Sequence, residues 1–198
     1  MPLDLVHDLQ QAYRKTLDSM SRPGLISNIK AEADKIDLET GCFKSTMILV
    51  LMLFDTEVTF KVISQRENEI MKLINQLTYA KAAELKTADF ILVMHDALPS
   101  CLEKALQASD RGTLLDPHRS ATVIVEADAL NGERGLTLTG PGIDGERHVK
   151  VQIKGEWVEL RAEKNAEYPL GIDLIFTDAV YNLLCLPRTT EIMRQVVG

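Results

Sequence analysis

The sequence predicts an α/β protein built as a three-layer α/β/α sandwich, a mixed sheet covered by helices on both faces. Segments of helical period interleave with short apolar runs through the first half of the chain. Leu170, Ile172 and Leu174 alternate with Gly171 and Asp173 before the pattern becomes fully apolar at Ile175 and Phe176, as a core strand does. A second apolar run, Tyr181 to Leu186, follows the small polar stretch Thr177-Asp178-Ala179-Val180 and stops at Pro187, so the two runs form a hairpin.

In chain order, Asp4 is placed to cap a first helix in which Leu5, Leu9, Tyr13, Leu17 and Met20 recur at helical spacing. These form the expected core face, with Asp8, Gln11, Arg14, Lys15 and Asp18 outward. Ser21-Arg22-Pro23-Gly24 ends the helix, because a residue before proline is pushed out of helical geometry. Leu25 to Ile29 reads as a strand, Ala31 to Thr40 as a polar connection, Phe43 to Phe54 as a buried helix and Val58 to Ile63 as a strand. Glu67 to Leu77 is an amphipathic helix with Ile70, Leu73, Ile74 and Leu77 inward. Phe90 to Met94 is a buried strand, and Pro99 opens a helix through Leu106. Ser109 to Arg119 is a loop; Ala121 to Val125 and Gly135 to Thr139 are strands separated by Asn131-Gly132-Glu133-Arg134. Trp157 to Ala166 is a helix, and Glu191 to Val197 a short one that Thr190 caps.

At 198 residues the chain is expected to form one domain, 1–198, with roughly 70% of its unfolded surface buried. A net charge of −7 argues against nucleic acid or an anionic membrane as a partner, since both attract basic surfaces. Cys42, Cys101 and Cys185 are few, scattered and odd in number, which fits reduced thiols in the cytoplasm. The most apolar stretch, Gly41 to Phe54, is too short to span a bilayer.

Gly140-Pro-Gly-Ile-Asp-Gly145 satisfies G-x-G-x-x-G after a strand, the pattern that lets backbone amides approach a pyrophosphate. Pro141 removes one such amide, and Gly145 to Lys150 alternates like a strand, so Gly140 and Gly142 read as a tight turn. Arg188, Thr189 and Thr190 offer a planar cation and two hydroxyls, suited to a phosphate or phosphonate oxygen, to a partner's carboxylate, or to a structural tie. Asp173 in a core strand requires a salt bridge or backbone amides. His95-Asp96 follows the Phe90 strand, where open α/β sheets place working residues, and reads more simply as a loop pair. His7, His118 and His148 are isolated, so no metal is expected, and no catalytic constellation is visible.

PLGIDL (Pro169 to Leu174) followed by LPRTT (Leu186 to Thr190) resembles the PhnH family, the H subunit of the bacterial carbon–phosphorus lyase complex. Met20-Ser-Arg-Pro-Gly24, Gly112-Thr113, Ala121 to Val125 and Leu136 to Ile143 fit in the same order along nearly the whole chain. One departure is a hairpin turn that lacks the expected glycine. The resemblance implies a fold akin to the large domain of pyridoxal-phosphate-dependent transferases, without that cofactor or any other. It implies an accessory, non-catalytic subunit that dimerises alone and docks on the G, I and J subunits. That assembly joins an alkylphosphonate to the ribose C1 of ATP and releases adenine. The alternative is a stand-alone nucleotide- or phosphonate-binding enzyme using the Gly140 loop or Arg188.

Overall fold

The structure, a computed structural model, describes residues 3–194. Its centre is a seven-stranded mixed sheet in the order β1-β9-β8-β5-β4-β2-β3. These strands are β1 (Ile26–Asn28), β2 (Thr59–Ile63), β3 (Lys81–Ala82), β4 (Phe90–Val93), β5 (Thr122–Glu126), β8 (Asp173–Thr177) and β9 (Asn182–Leu186). β8, β5, β4, β2 and β3 run parallel, whereas β9 is antiparallel to both β8 and β1. A smaller sheet, β10-β6-β7, is formed by β6 (Ala129–Thr139), β7 (Arg147–Gln152) and β10 (Glu191–Arg194).

Successive residues of the central strands point to opposite faces, which splits the interior into two cores. Leu174 and Phe176 of β8 join α5 (Ser100–Ala108), α6 (Val158–Lys164) and the smaller sheet. Ile175 joins α1 (His7–Ser21), α2 (Lys30–Ala33), α3 (Lys44–Leu53) and α4 (Glu67–Thr78) on the other face. The α/β class and the two covered faces agree with expectation; the separate three-stranded sheet adds to it. α3 is buried nearly all round because its sequence is apolar nearly all round, with Met47, Ile48, Leu49 and Val50 at 0% exposure.

Three expectations are corrected. The segment after Thr190 is not a helix: Glu191–Arg194 pairs antiparallel with β6, Ile192 opposite Leu138. Its helical-looking pattern is overridden by the open edge of β6, whose ladder needs a partner. Gln195 to Val197, the rest of that predicted helix, lie outside the described residues. Asn131 to Arg134 does not separate two strands; β6 runs through it, with a register shift against β7 between Asn131 and Leu136.

The buried face of α1 is only partly the expected one: Leu9 and Met20 pack half-buried against the core. Asp4 Oδ1 does accept the N–H groups of Val6 and His7 as an N-terminal cap. Yet the helix rests on Asp8, Ala12, Thr16 and Ser19, because small residues let it approach β9 closely. Ser19 Oγ donates to Leu25 O and accepts Cys185 N–H, while Thr16 Oγ1 returns to Ala12 O. Asp8 is drawn in with Lys35, 2.7 Å away. Leu5, Val6, Tyr13 and Leu17 are left 50–70% exposed.

The β8–β9 turn works without glycine. Asp178, 1% exposed, accepts the N–H groups of Leu130, Val180 and Asn182. Tyr181 takes the left-handed conformation, φ 70°. Between β6 and β7 the chain turns at Gly140 to Gly145, and Gly142 has φ +84° with its ideal Cβ position only 2.2 Å from Ser21 O. Glycine is required there, since α1's end and this turn meet backbone to backbone. Gly142→Ala is expected to lower unfolding stability by about 2–4 kcal/mol, measured by urea denaturation; a change under about 0.5 kcal/mol would contradict this contact.

Candidate functional site

The strand-to-strand turn Leu186 to Thr190 is held by side chains converging from three directions. From α6, Arg161 is 2% exposed and donates to Thr190 O at 2.9 Å and Pro187 O at 2.6 Å. Burial lowers its pKa to about 10, for it faces carbonyls and no paired carboxylate. One helical turn on, Asn165 donates to Ile172 O and Arg188 O and accepts Ile172 N–H. From β8, Asp173 accepts Arg188 N–H at 2.7 Å and pairs with the guanidinium at 2.7 Å, both side chains 20% exposed. Gly171, φ +136°, lets Asn165 and Arg188 close over it, at 2.6 and 3.2 Å from its ideal Cβ position.

Arg188 is therefore spent on the protein itself. Besides Asp173, its Nη1 donates to Pro117 O and Pro169 O, tying the 109–119 loop to the segment before β8. Thr190 does not cap a helix; it is 2% exposed and its Oγ1 has no hydrogen-bond partner among the described residues. Thr189 and Arg188 line an open cleft of about 420 Å³ together with Pro141, Asn165 and Tyr168. Gly140 lies against Thr189 O, 2.8 Å from its ideal Cβ position. The structure thus brings Asp173, Arg188, Thr189, Thr190, Gly140 and Gly142 into one neighbourhood. Packing against Ser21 and Pro23 adds the end of α1 to it.

A second polar cluster lies at the carboxyl ends of the parallel strands. From β2 the chain crosses outward through α4 on one face; from β4 it crosses the other way through α5 on the opposite face. Diverging crossovers leave a crevice at the strand ends. Ser64 Oγ and Asp96 Oδ2 meet there at 2.8 Å, with Gln65 N–H also on Asp96. His95 does not face Asp96. Its Nδ1 lies 2.7 Å from Glu126 Oε2, which also accepts His95 N–H. Glu126 has no exposed side-chain surface, its Oε1 accepts Phe43 N–H at 2.6 Å, and Phe43 stacks on the imidazole at 4.8 Å and 11°.

Glu126 and Arg161 do not stand out by residue type or spacing. Their signals in the sequence are slight: a lone acid closing the apolar strand Thr122–Glu126, and an arginine three residues after Val158 on the apolar side of α6. No group of His, Cys, Asp and Glu able to hold a metal occurs among the described residues. None of their helices is long and apolar enough to cross a membrane.

The family described as bacterial phosphonate metabolism protein (PhnH) matches this chain over residues 3–193. The chain belongs to the PhnH family. The alpha-D-ribose 1-methylphosphonate 5-triphosphate synthase subunit PhnH of Rhizobium meliloti (strain 1021) is 31% identical, over 97% of this chain and 94% of that protein. The putative C-P lyase subunit protein HtxG of Stutzerimonas stutzeri is 28% identical, over 92% and 85%. Of the segments that carry the PhnH resemblance, PLGIDL and LPRTT meet at Arg188, and GPGI packs between Thr189 and the MSRPG turn.

Because Arg188 and Asp173 are only partly solvated, Arg188→Ala is expected to cost about 2–4 kcal/mol in urea unfolding, much of it from the stranded carboxylate. Asp173→Asn with Arg188→Met should cost less than Arg188→Ala alone; additive losses would argue against coupling. Burial also pushes the Cys42 and Cys185 thiols up to about 12 from 9.0. Folded thiols then keep protons that unfolded ones release, so their contribution is complete below pH 9 and lost as pH rises towards 12. Arg161, with its pKa lowered to about 10, acts in the opposite sense above that pH. Stability is expected to fall from pH 9 upward, and Cys185→Val to flatten that fall; an unchanged slope in the variant would refute the assignment.

Proposed function

We infer that this chain is a non-catalytic accessory subunit of the carbon–phosphorus lyase core assembly. In that role it supports conversion of alkylphosphonate and ATP to ribose 1-alkylphosphonate 5-triphosphate and adenine. The observation that carries this is the PhnH family match across residues 3–193, joined to a relative whose name is that of a synthase subunit. Residues 1–198 act as one PhnH-like domain in the cytoplasm, with a central sheet akin to that of the large domain of pyridoxal-phosphate-dependent transferases. Its partners are the G, I and J subunits, and alone it pairs with a second copy.

Three physical features favour assembly over stand-alone binding. Arg188 has its guanidinium committed to Asp173, Pro117 O and Pro169 O, so little of it is left for a nucleotide or phosphonate. The Gly140 loop leads into a strand, not into a helix whose amides would cradle phosphate. Meanwhile α1 leaves Val6, Tyr13 and Leu17 exposed on one side, apolar surface of the kind that protein partners cover.

Tagged protein expressed in a host carrying the whole assembly is expected to co-purify with the G, I and J subunits; recovery of the chain alone overturns the inference. Tyr13→Glu with Leu17→Glu, both at exposed positions, should leave the melting temperature within a few degrees and weaken recovery of partner or second copy at least tenfold. A melting-temperature rise with ATP or NAD that Arg188→Ala abolishes would instead favour the stand-alone enzyme.

A further inference from the structure

We propose that the cleft beside the Arg188 turn receives an arginine side chain from a partner polypeptide, with Tyr168 as the stacking platform and Glu191 as the counter-charge. The cleft, of about 420 Å³, takes apolar lining from Tyr168, Pro141 and Leu170 and polar lining from Thr189 and Glu191. That is near the lower end of the ~300–1,000 Å³ range of small-molecule sites, room for one long side chain but not for a folded segment.

The charge balance of the cleft selects a cation. Arg188, its only cation among the described residues, pairs with Asp173 at 2.7 Å and places Nη1 on Pro117 O and Pro169 O. Glu191 is exposed, and among the described residues only Thr139 Oγ1 meets its carboxylate, at 3.5 Å. One carboxylate is thus left over, which attracts a cation and repels an anion. Tyr168 is 76% exposed, yet its backbone is held: Arg188 grips the carbonyl of Pro169, and Leu170 N–H bonds Glu167 O at 2.8 Å. Beside Glu191, Arg161 grips Thr190 O. Ring and carboxylate therefore stand on backbone that is fixed before a partner arrives, which lowers the ordering cost of binding. Arginine suits them better than lysine. Its planar guanidinium stacks on an aromatic face and still offers a fork to a carboxylate, whereas an ammonium is a strongly hydrated point charge.

This occupant rests on the reading of the chain as an assembly subunit, so the test has two arms. On the isolated full-length chain, acetyl-Gly-Arg-Gly-amide and its neutral citrulline counterpart are titrated at constant ionic strength. The backbone amides of Tyr168, Thr189 and Glu191 are followed by NMR. Saturable shifts are expected with the arginine peptide, about fivefold tighter than with citrulline, the worth of an exposed ion pair. Glu191→Gln and Tyr168→Leu, both at exposed positions, should each weaken the arginine peptide about threefold. Equal affinity for the two peptides, absence of saturation, or titrations unchanged in both variants overturn the proposal. In a host carrying the whole assembly, Glu191→Arg should lower recovery of the partner subunits at least about fivefold. Full recovery with this variant, beside a wild type that does co-purify, overturns the slot and leaves the subunit reading standing. A wild type recovered alone overturns the subunit reading and, with it, the partner named here.

Discussion

The C-terminal half of this protein depends on two arginines that have left bulk water without becoming free to act. Arg161 is surrounded by main-chain carbonyls, and Arg188 by one carboxylate and two more carbonyls. Stripping a guanidinium of water is costly unless its donors are matched. Arg161 Nε stays without a partner among the described residues, and matching the other donors requires Leu186 to Thr190 to present its carbonyls inward, Asp173 to stand at the head of β8, and the 109–119 loop to close over Pro117. That demand fixes how β9 hands over to β10, while the small sheet is also held to the large one by the shared core and by Leu130 N–H on Asp178.

This arrangement also separates structural chemistry from ligand chemistry. Residues that look like a binding motif in one dimension, Arg188 with its two threonines and the Gly140 loop, are consumed in tying elements together. The polar groups outside that arrangement lie beyond the carboxyl ends of β4 and β5. There Glu126 is sealed in, but His95 keeps one nitrogen open to the surface. The most elaborate hydrogen bonding stabilises turns, while α1 keeps apolar side chains on its exposed side.

Much of the architecture was legible because period and composition report burial directly. The sequence places α3, α4, β4 and β5 within a residue and finds the β8–β9 hairpin, although β8 starts at Asp173 and not at Leu170, since continuous apolar runs and 3.6-residue stripes seldom arise outside buried strands and half-buried helices. Asp173 was readable as a carboxylate in need of a partner. The face of α1 was not: its leucines and tyrosine mark an apolar stripe, but apolarity does not say whether the stripe meets this chain's own sheet or another molecule. Close approach to β9 favoured Ala12, Thr16 and Ser19 instead. The strand Glu191–Arg194 was missed because a short segment takes the state its neighbour's open ladder offers.

Sequence alone determined the α/β class, most elements as far as β9, the hairpin and the family-marking segments, for each is written in local pattern or in contiguous residues. Tertiary structure decided which of those segments touch: that MSRPG, GPGI, PLGIDL and LPRTT converge, that Arg188 is satisfied internally, and that Glu126 stands behind His95 from a strand 31 residues away. Such pairings cannot be read from spacing, because they arise only when parallel strands bring distant residues to a common edge.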